Sequence, residues 1–136
     1  MNKRTKGKIE EIERYLNELG EIKPNNLKEY IKDFKTKAAC ERYTERIIEA
    51  IIDLAFLVIK EKRFQVPESD LHAFCILSEN NIISSELSEK LQNAKRMRNI
   101  LAHEYGEVDD EIVFHSITEE LERDAMEFIK RIEKLK

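Results

Sequence analysis

The residues best equipped for chemistry lie in one short run, Arg98-Asn99-Ile100-Leu101-Ala102-His103-Glu104-Tyr105. An imidazole titrates near neutrality and can take or give a proton. A guanidinium stays charged and offers a phosphate a fork of donors. Together they suit metal-free chemistry at a phosphodiester, with His103 as acid or base and Arg98 stabilising charge on a phosphate oxygen. The spacing of Leu87, Leu91, Ala94, Leu101 and Tyr105 predicts an apolar helical stripe with Arg98 in its middle. A guanidinium there needs a carboxylate, either Asp53 or Glu49, or an open polar cleft. Lys95, Asn99 and His103 recur every fourth residue, which places Asn99 to hydrogen-bond His103. Arg98 and His103 are separated by about 140° and roughly 7–8 Å on an ideal helix, a gap that a long arginine can lean across. Tyr105 points away from His103 unless the helix opens at Gly106, where a left-handed turn costs little.

The charge around this run is local. The chain has 136 residues and a formal net charge of −4, which argues against binding nucleic acid by its whole surface. Yet Lys90, Lys95, Arg96 and Arg98 cluster just ahead of His103. Such a concentrated positive site suits a phosphate-bearing ligand held at one place. Other candidates are weaker. Glu49 and Asp53 sit one turn apart in an apolar run and fit a structural pairing as well as a functional one. His72 and Cys75 are spaced as two metal ligands, but no third is evident, and no metal is expected. Cys40 and Cys75 lack a C-x-x-C spacing and read as two reduced, buried thiols. Lys3, Arg4, Lys6 and Lys8 read as a frayed, solvated terminus.

The elements that must position these residues are helices. Only three Gly and two Pro stand among 41% hydrophobic and 38% charged residues, which disfavours a turn-rich sheet protein. The expected class is all-α, one antiparallel bundle of four to five helices over residues 1–136. Its helices are expected at about Lys6–Leu19, ended by Gly20; Leu27–Lys62; Leu71–Ser78; Glu86–His103, capped near Ser85; and a last one with Asp109-Asp110-Glu111 in its first turn, running to about Leu135. The second is amphipathic in its first half through Leu27, Tyr30, Ile31 and Phe34. From Ile47 to Ile59 it is apolar on several sides, which suggests a face covered by a second copy of the chain. That run is too short, and too charged at Glu49 and Asp53, to span a bilayer. No apolar segment follows the basic start, so a cytoplasmic protein is expected.

The run from Met97 to Tyr105, followed by Val108-Asp109 and Glu111-Ile112-Val113, resembles the HepT-like branch of the HEPN superfamily, whose signature is Arg-x4-His-x-Tyr. The apolar helix Ile47–Ile59 and the turn Val66-Pro67-Glu68-Ser69 resemble it too. The likeness extends over roughly residues 5–135. It implies a HEPN-type bundle that dimerises and brings two Arg–His sites together. It implies a metal-independent endoribonuclease, cofactor-free, in which a ribose 2′-hydroxyl attacks the adjacent phosphate. Arg98 and His103 would be catalytic, Asn99 and Asp53 supporting, and Lys95 and Arg96 in contact with RNA. It further implies the toxin of a HepT/MntA-type (type VII) toxin–antitoxin pair, silenced when a minimal nucleotidyltransferase antitoxin attaches AMP to Tyr105. The competing expectation is a non-catalytic helical module that binds a nucleotidyltransferase or a nucleotide.

Overall fold

The computed structural model describes residues 1–103 and 108–135. Among these residues every regular element is helical. Helix α1 spans Lys3–Ile22, α2 Leu27–Lys32, α3 Phe34–Lys62, α4 Asp70–Glu79 and α5 Ser85–His103. Helix α6, Asp110–His115, runs through a π turn, Ser116–Glu120, into α7, Leu121–Glu133.

Helix α3 is the axis of the bundle. It packs along α1 and against α4 and α5, while α7 lies against α5 and α1. Ile47, Ile48, Ile51, Leu54, Ala55 and Val58 are all buried, and they cover more than one side of α3. Helix α1 meets them with Ile9, Ile12, Leu16 and Leu19, one stripe at helical spacing. Helix α7 closes the far side with Leu121, Ala125, Phe128, Ile129 and Ile132. The buried residues form one contiguous core from Ile9 to Ile132. Most of the apolar run of α3 is thus covered within the chain, while Phe56 and Leu57 stay partly exposed along a recess beside α1.

Several boundaries differ from the sequence reading, each for a local reason. The basic start is helical, because the Asn2 side chain accepts the Thr5 N–H at 2.9 Å and the Asn2 N–H donates to Glu61. Gly20 does not stop α1, which runs on to Ile22. The expected long helix Leu27–Lys62 is broken at Asp33, whose backbone leaves the helical region while its carboxylate takes the N–H groups of Lys35 and Thr36. These contacts hold the Asp33 carboxyl below the usual carboxylate range, led by the Thr36 hydroxyl. The break turns Ile31 and Phe34 outward, so the first half is not the amphipathic continuation expected, and only Tyr30 enters the core. Burial raises the Tyr30 phenol, and its ring lies 5.2 Å from that of Phe114. Ser84, not Ser85, caps α5 by accepting the Leu87 N–H at 3.0 Å. The last expected helix contains the π turn, where the Thr118 hydroxyl donates to the Phe114 carbonyl. A π turn inserts a residue and rotates the seam, so Val113 is buried while Phe114 is only partly so.

Both cysteines are free; Cys40 is buried and its thiol is pushed up to about 11, first by burial and then by Glu41. It is a poor nucleophile at neutral pH.

Leu54 is wholly buried, whereas Ile31 is half exposed. Leu54→Ala should lower the unfolding free energy by about 2–5 kcal/mol. Ile31→Ala should change it by less than about 1 kcal/mol. Urea denaturation of the two variants measures both effects.

Candidate active site

Arg98 lies five residues from the end of α5, on the side that faces α3. The neighbouring stripe positions Leu91 and Leu101 are buried, and Ala94 packs against the core. The guanidinium therefore emerges at the edge of the core, and α3 supplies the carboxylate it needs. Arg98 Nη2 donates to Glu49 Oε1 at 2.6 Å. Arg98 Nη1 donates to the Asn99 side-chain oxygen at 3.4 Å. Nε is buried and finds no partner among the described residues. The side chain keeps 21% of its exposure and that of Glu49 40%. A pair this wet contributes about 0–1 kcal/mol, and a buried, unbonded N–H costs about 1–3 kcal/mol. These magnitudes favour orientation over stability as the result of the arrangement.

The other predicted site residues are divided. Asn99 stands beside Arg98 and accepts from it. His103 is the last residue of α5 and is exposed there, where the helix dipole favours a cation. Asp53 is not the partner of Arg98. It is mostly exposed, one turn further along α3, and pairs with Lys8 of α1 at 3.4 Å. Lys95 is turned toward α4 and pairs with Asp70 at 3.0 Å. Arg96 is exposed and donates to Asn93 at 2.6 Å. Tyr105, with Gly106, lies outside the described residues. The spacing of His72 and Cys75 has a local explanation: His72 Nδ1 accepts the Glu68 N–H at 3.0 Å, and Cys75 Sγ meets the Gln92 amide.

Two features escaped the sequence reading. Lys8, read as part of a loose terminus, bridges Glu11 at 2.8 Å and Asp53. Arg42 and Arg46 line a small recess with Glu49 and Asp53. Positions 42, 46, 49 and 53 follow helical spacing, so the pattern was present in the sequence, hidden by the apolar residues between.

The comparisons with known proteins bear on this geometry. The family described as Ribonuclease HepT-like matches residues 8–132. The chain belongs to that family. Of the curated relatives, the mRNA nuclease HepT of Shewanella oneidensis is 32% identical over 101 residues, 74% of this chain and 75% of its own length. The tRNA nuclease HepT of Aphanizomenon flos-aquae is 28% identical over 111 residues, 82% of this chain and 76% of its own. Among solved structures, the tri-AMPylated Shewanella oneidensis HEPN toxin in complex with its MNT antitoxin superposes with a TM-score of 0.92 at 29% identity. That match covers 99% of this chain and all of the other. The HEPN-type bundle read from the sequence is therefore the observed fold. Membership brings ribonuclease activity of the HepT kind, and it favours that reading over a non-catalytic module.

The Lys8 bridge gives a pH test. Glu11 is held below its ordinary 4.5, first by the Lys8 hydrogen bond, with burial opposing. On Lys8 burial acts downward, but Glu11 and Asp53 outweigh it and raise the ammonium above its ordinary 10.5. The lowered carboxyl stabilises the fold above its unfolded value, and this is lost as pH falls through the folded one. The raised ammonium stabilises the fold below 10.5, and this is lost as pH rises through its folded value. The melting-temperature difference between wild type and Lys8→Met should therefore be greatest between these limits and shrink toward pH 3. Thermal unfolding followed across pH measures it.

Proposed function

We propose that the chain is a metal-independent endoribonuclease toxin whose reacting groups are Arg98 and His103, with Asn99 supporting. The observation that carries this reading is the guanidinium of Arg98, oriented by Glu49 and Asn99 and partly open to solvent, five residues ahead of an exposed His103. In the reaction, the ribose 2′-oxygen bonds to the adjacent phosphorus as its proton passes to a base. The 5′-oxygen of the next nucleotide then leaves with a proton. The products are a 2′,3′-cyclic phosphate and a 5′-hydroxyl. His103 carries a proton in this cycle. Arg98 stabilises the charge that gathers on the phosphate oxygens as five bonds form at phosphorus. The Glu49 carboxylate is a positioning group: it keeps the flexible arginine in one place, so little reorganisation is needed as charge develops.

The biological setting follows from the relatives. One matching complex joins a HEPN toxin carrying AMP to an MNT antitoxin. Another, a toxin–antitoxin complex solved with AMP-PNP, has a TM-score of 0.89 at 28% identity and covers 98% of this chain and all of the other. Our reading is that a minimal nucleotidyltransferase silences this chain. The Tyr105 oxygen bonds the α-phosphorus of ATP, pyrophosphate leaves, and AMP remains two residues from His103. A bulky anion there would crowd and electrostatically repel an RNA phosphate. We read the active form as a cytoplasmic homodimer of a single domain, and exposed Ile100 and Ile112, which line a recess between α5 and α6, support a contact with a second copy. No helix among the described residues is long and apolar enough to cross a membrane.

The experiment is cleavage of RNA by the purified protein with chelator present. Wild type should yield cyclic-phosphate ends, and His103→Ala should be slower by about 10²–10⁴. Equal rates for the two proteins overturn the assignment. Intact mass measured after co-expression with the partner should show a gain of one or more AMP groups, absent in Tyr105→Phe.

A further inference from the structure

The face of α3 that carries Glu49 also carries Arg46 and Arg42, one and two turns earlier. A recess of about 130 Å³ is lined by Glu49, Arg42, Arg46 and Tyr15 of α1. It adjoins a larger recess of about 520 Å³, which shares Tyr15, Arg42 and Arg46 and adds Arg14 and Tyr43. The shared residues make the two one groove between α1 and α3, starting at the carboxylate that holds Arg98.

The charge within the groove runs against that of the chain. The larger recess has three arginines and one carboxylate, Glu18. Glu18 is occupied, accepting from the Tyr43 hydroxyl at 3.1 Å and lying 3.7 Å from Arg14. In the smaller recess Glu49 is paired with Arg98, while Glu11 and Asp53 share Lys8, which offsets one of their two charges; the groove is most positive in the larger recess. Arg46 is exposed, and no hydrogen bond or ion pair to it appears among the described residues. Arg42 is 58% exposed and donates through Nη1 to Glu45 at 3.1 Å, a carboxylate that keeps only 12% of its exposure. One Arg42 nitrogen is engaged there, and the other N–H groups of its exposed guanidinium are left to meet a phosphate.

The aromatic rings complete the chemistry. Tyr15 and Tyr43 meet edge to face, with centroids 6.2 Å apart. The Arg14 guanidinium lies over the Tyr15 ring at 5.2 Å. Arginines one turn apart, about 6 Å along the helix, with aromatic and guanidinium faces beside them, are the pattern that holds a single strand by its phosphates and bases.

We infer that this groove is a binding site for single-stranded RNA, taking the phosphates of the strand on Arg42 and Arg46 and a base beside Tyr15 and Tyr43. The inference rests on the proposed ribonuclease reading, since it leads the strand toward Arg98. It places the substrate's main phosphate contacts on α3, and not on Lys95, which is engaged with Asp70.

The test is binding of a fluorescent 2′-O-methyl RNA oligomer, which lacks the attacking hydroxyl, to wild type and to Arg42→Ala/Arg46→Ala, over a range of salt. Affinity in the double variant should fall about tenfold, and the slope of log affinity against log salt should shrink by about 1.4, roughly 0.7 for each phosphate no longer neutralised. Arg42→Lys/Arg46→Lys should restore most of the slope and guards against misfolding, as does an unchanged melting temperature. Equal affinity and slope in wild type and double variant overturn the proposal. So does absence of binding by wild type at low salt, or a change in oligomeric state with RNA affinity unchanged, which makes the face a contact between copies. Cleavage of ordinary RNA by the wild type, measured alongside, separates the two readings. Cleavage without an effect of the arginines on binding removes the groove alone. Arginine-dependent binding without cleavage removes the catalytic reading alone.

Discussion

The ion pair between Arg98 and Glu49 joins the two helices on which the function depends. Arg98 of α5 meets Glu49 of α3 at 2.6 Å, and through that contact the guanidinium gains a fixed direction. An arginine side chain has several rotatable bonds and loses considerable freedom on being held. The half-exposed pair cannot supply that free energy by itself. It is supplied by the core beneath: Ile48, Ile51 and Ile52 of α3, with Leu91 and Leu101 of α5, are buried and hold both backbones in place. The stability of the bundle is thus converted into the orientation of one charged group.

Helix α3 accordingly does two kinds of work on two kinds of face. Its apolar sides close the core against α1, α4 and α5. Its polar stripe, Arg42, Arg46, Glu49 and Asp53, is left for chemistry. Neighbouring elements decide what each member of the stripe does. Asp53 is drawn to Lys8 because α1 passes over it. Glu49 is left to Arg98. Arg46 remains open to a ligand and Arg42, though it reaches Glu45, is still 58% exposed, so an acidic chain gains a local anion site without becoming a general polyanion binder.

How much of this the sequence shows depends on the range of each determinant. Arg98 stood out because a charge on an apolar stripe is anomalous whatever surrounds it. The all-helical class was legible from the scarcity of Gly and Pro. The choice between Glu49 and Asp53 was not, because both occur on one side of one helix. Only the path of α1 separates them, and that is a tertiary fact. The break at Asp33 was obscured for the opposite reason: it is local, but its signal is one short acidic side chain amid residues that favour helix. The π turn at Ser116–Glu120 likewise inserts its residue into a good helical pattern, where nothing in the spacing marks it. Lys95 and Arg96 were legible as charge but not as partners, since Asp70 and Asn93 claim them.

The proposed chemistry requires Arg98 to be the source of positive charge at the scissile phosphate. The most direct measurement is chemical rescue: single-turnover RNA cleavage by Arg98→Ala, with and without guanidinium ion in solution. The expected result is a strongly reduced rate that guanidinium partly restores, while His103→Ala stays inactive under the same conditions. Cleavage by Arg98→Ala at the wild-type rate would contradict it.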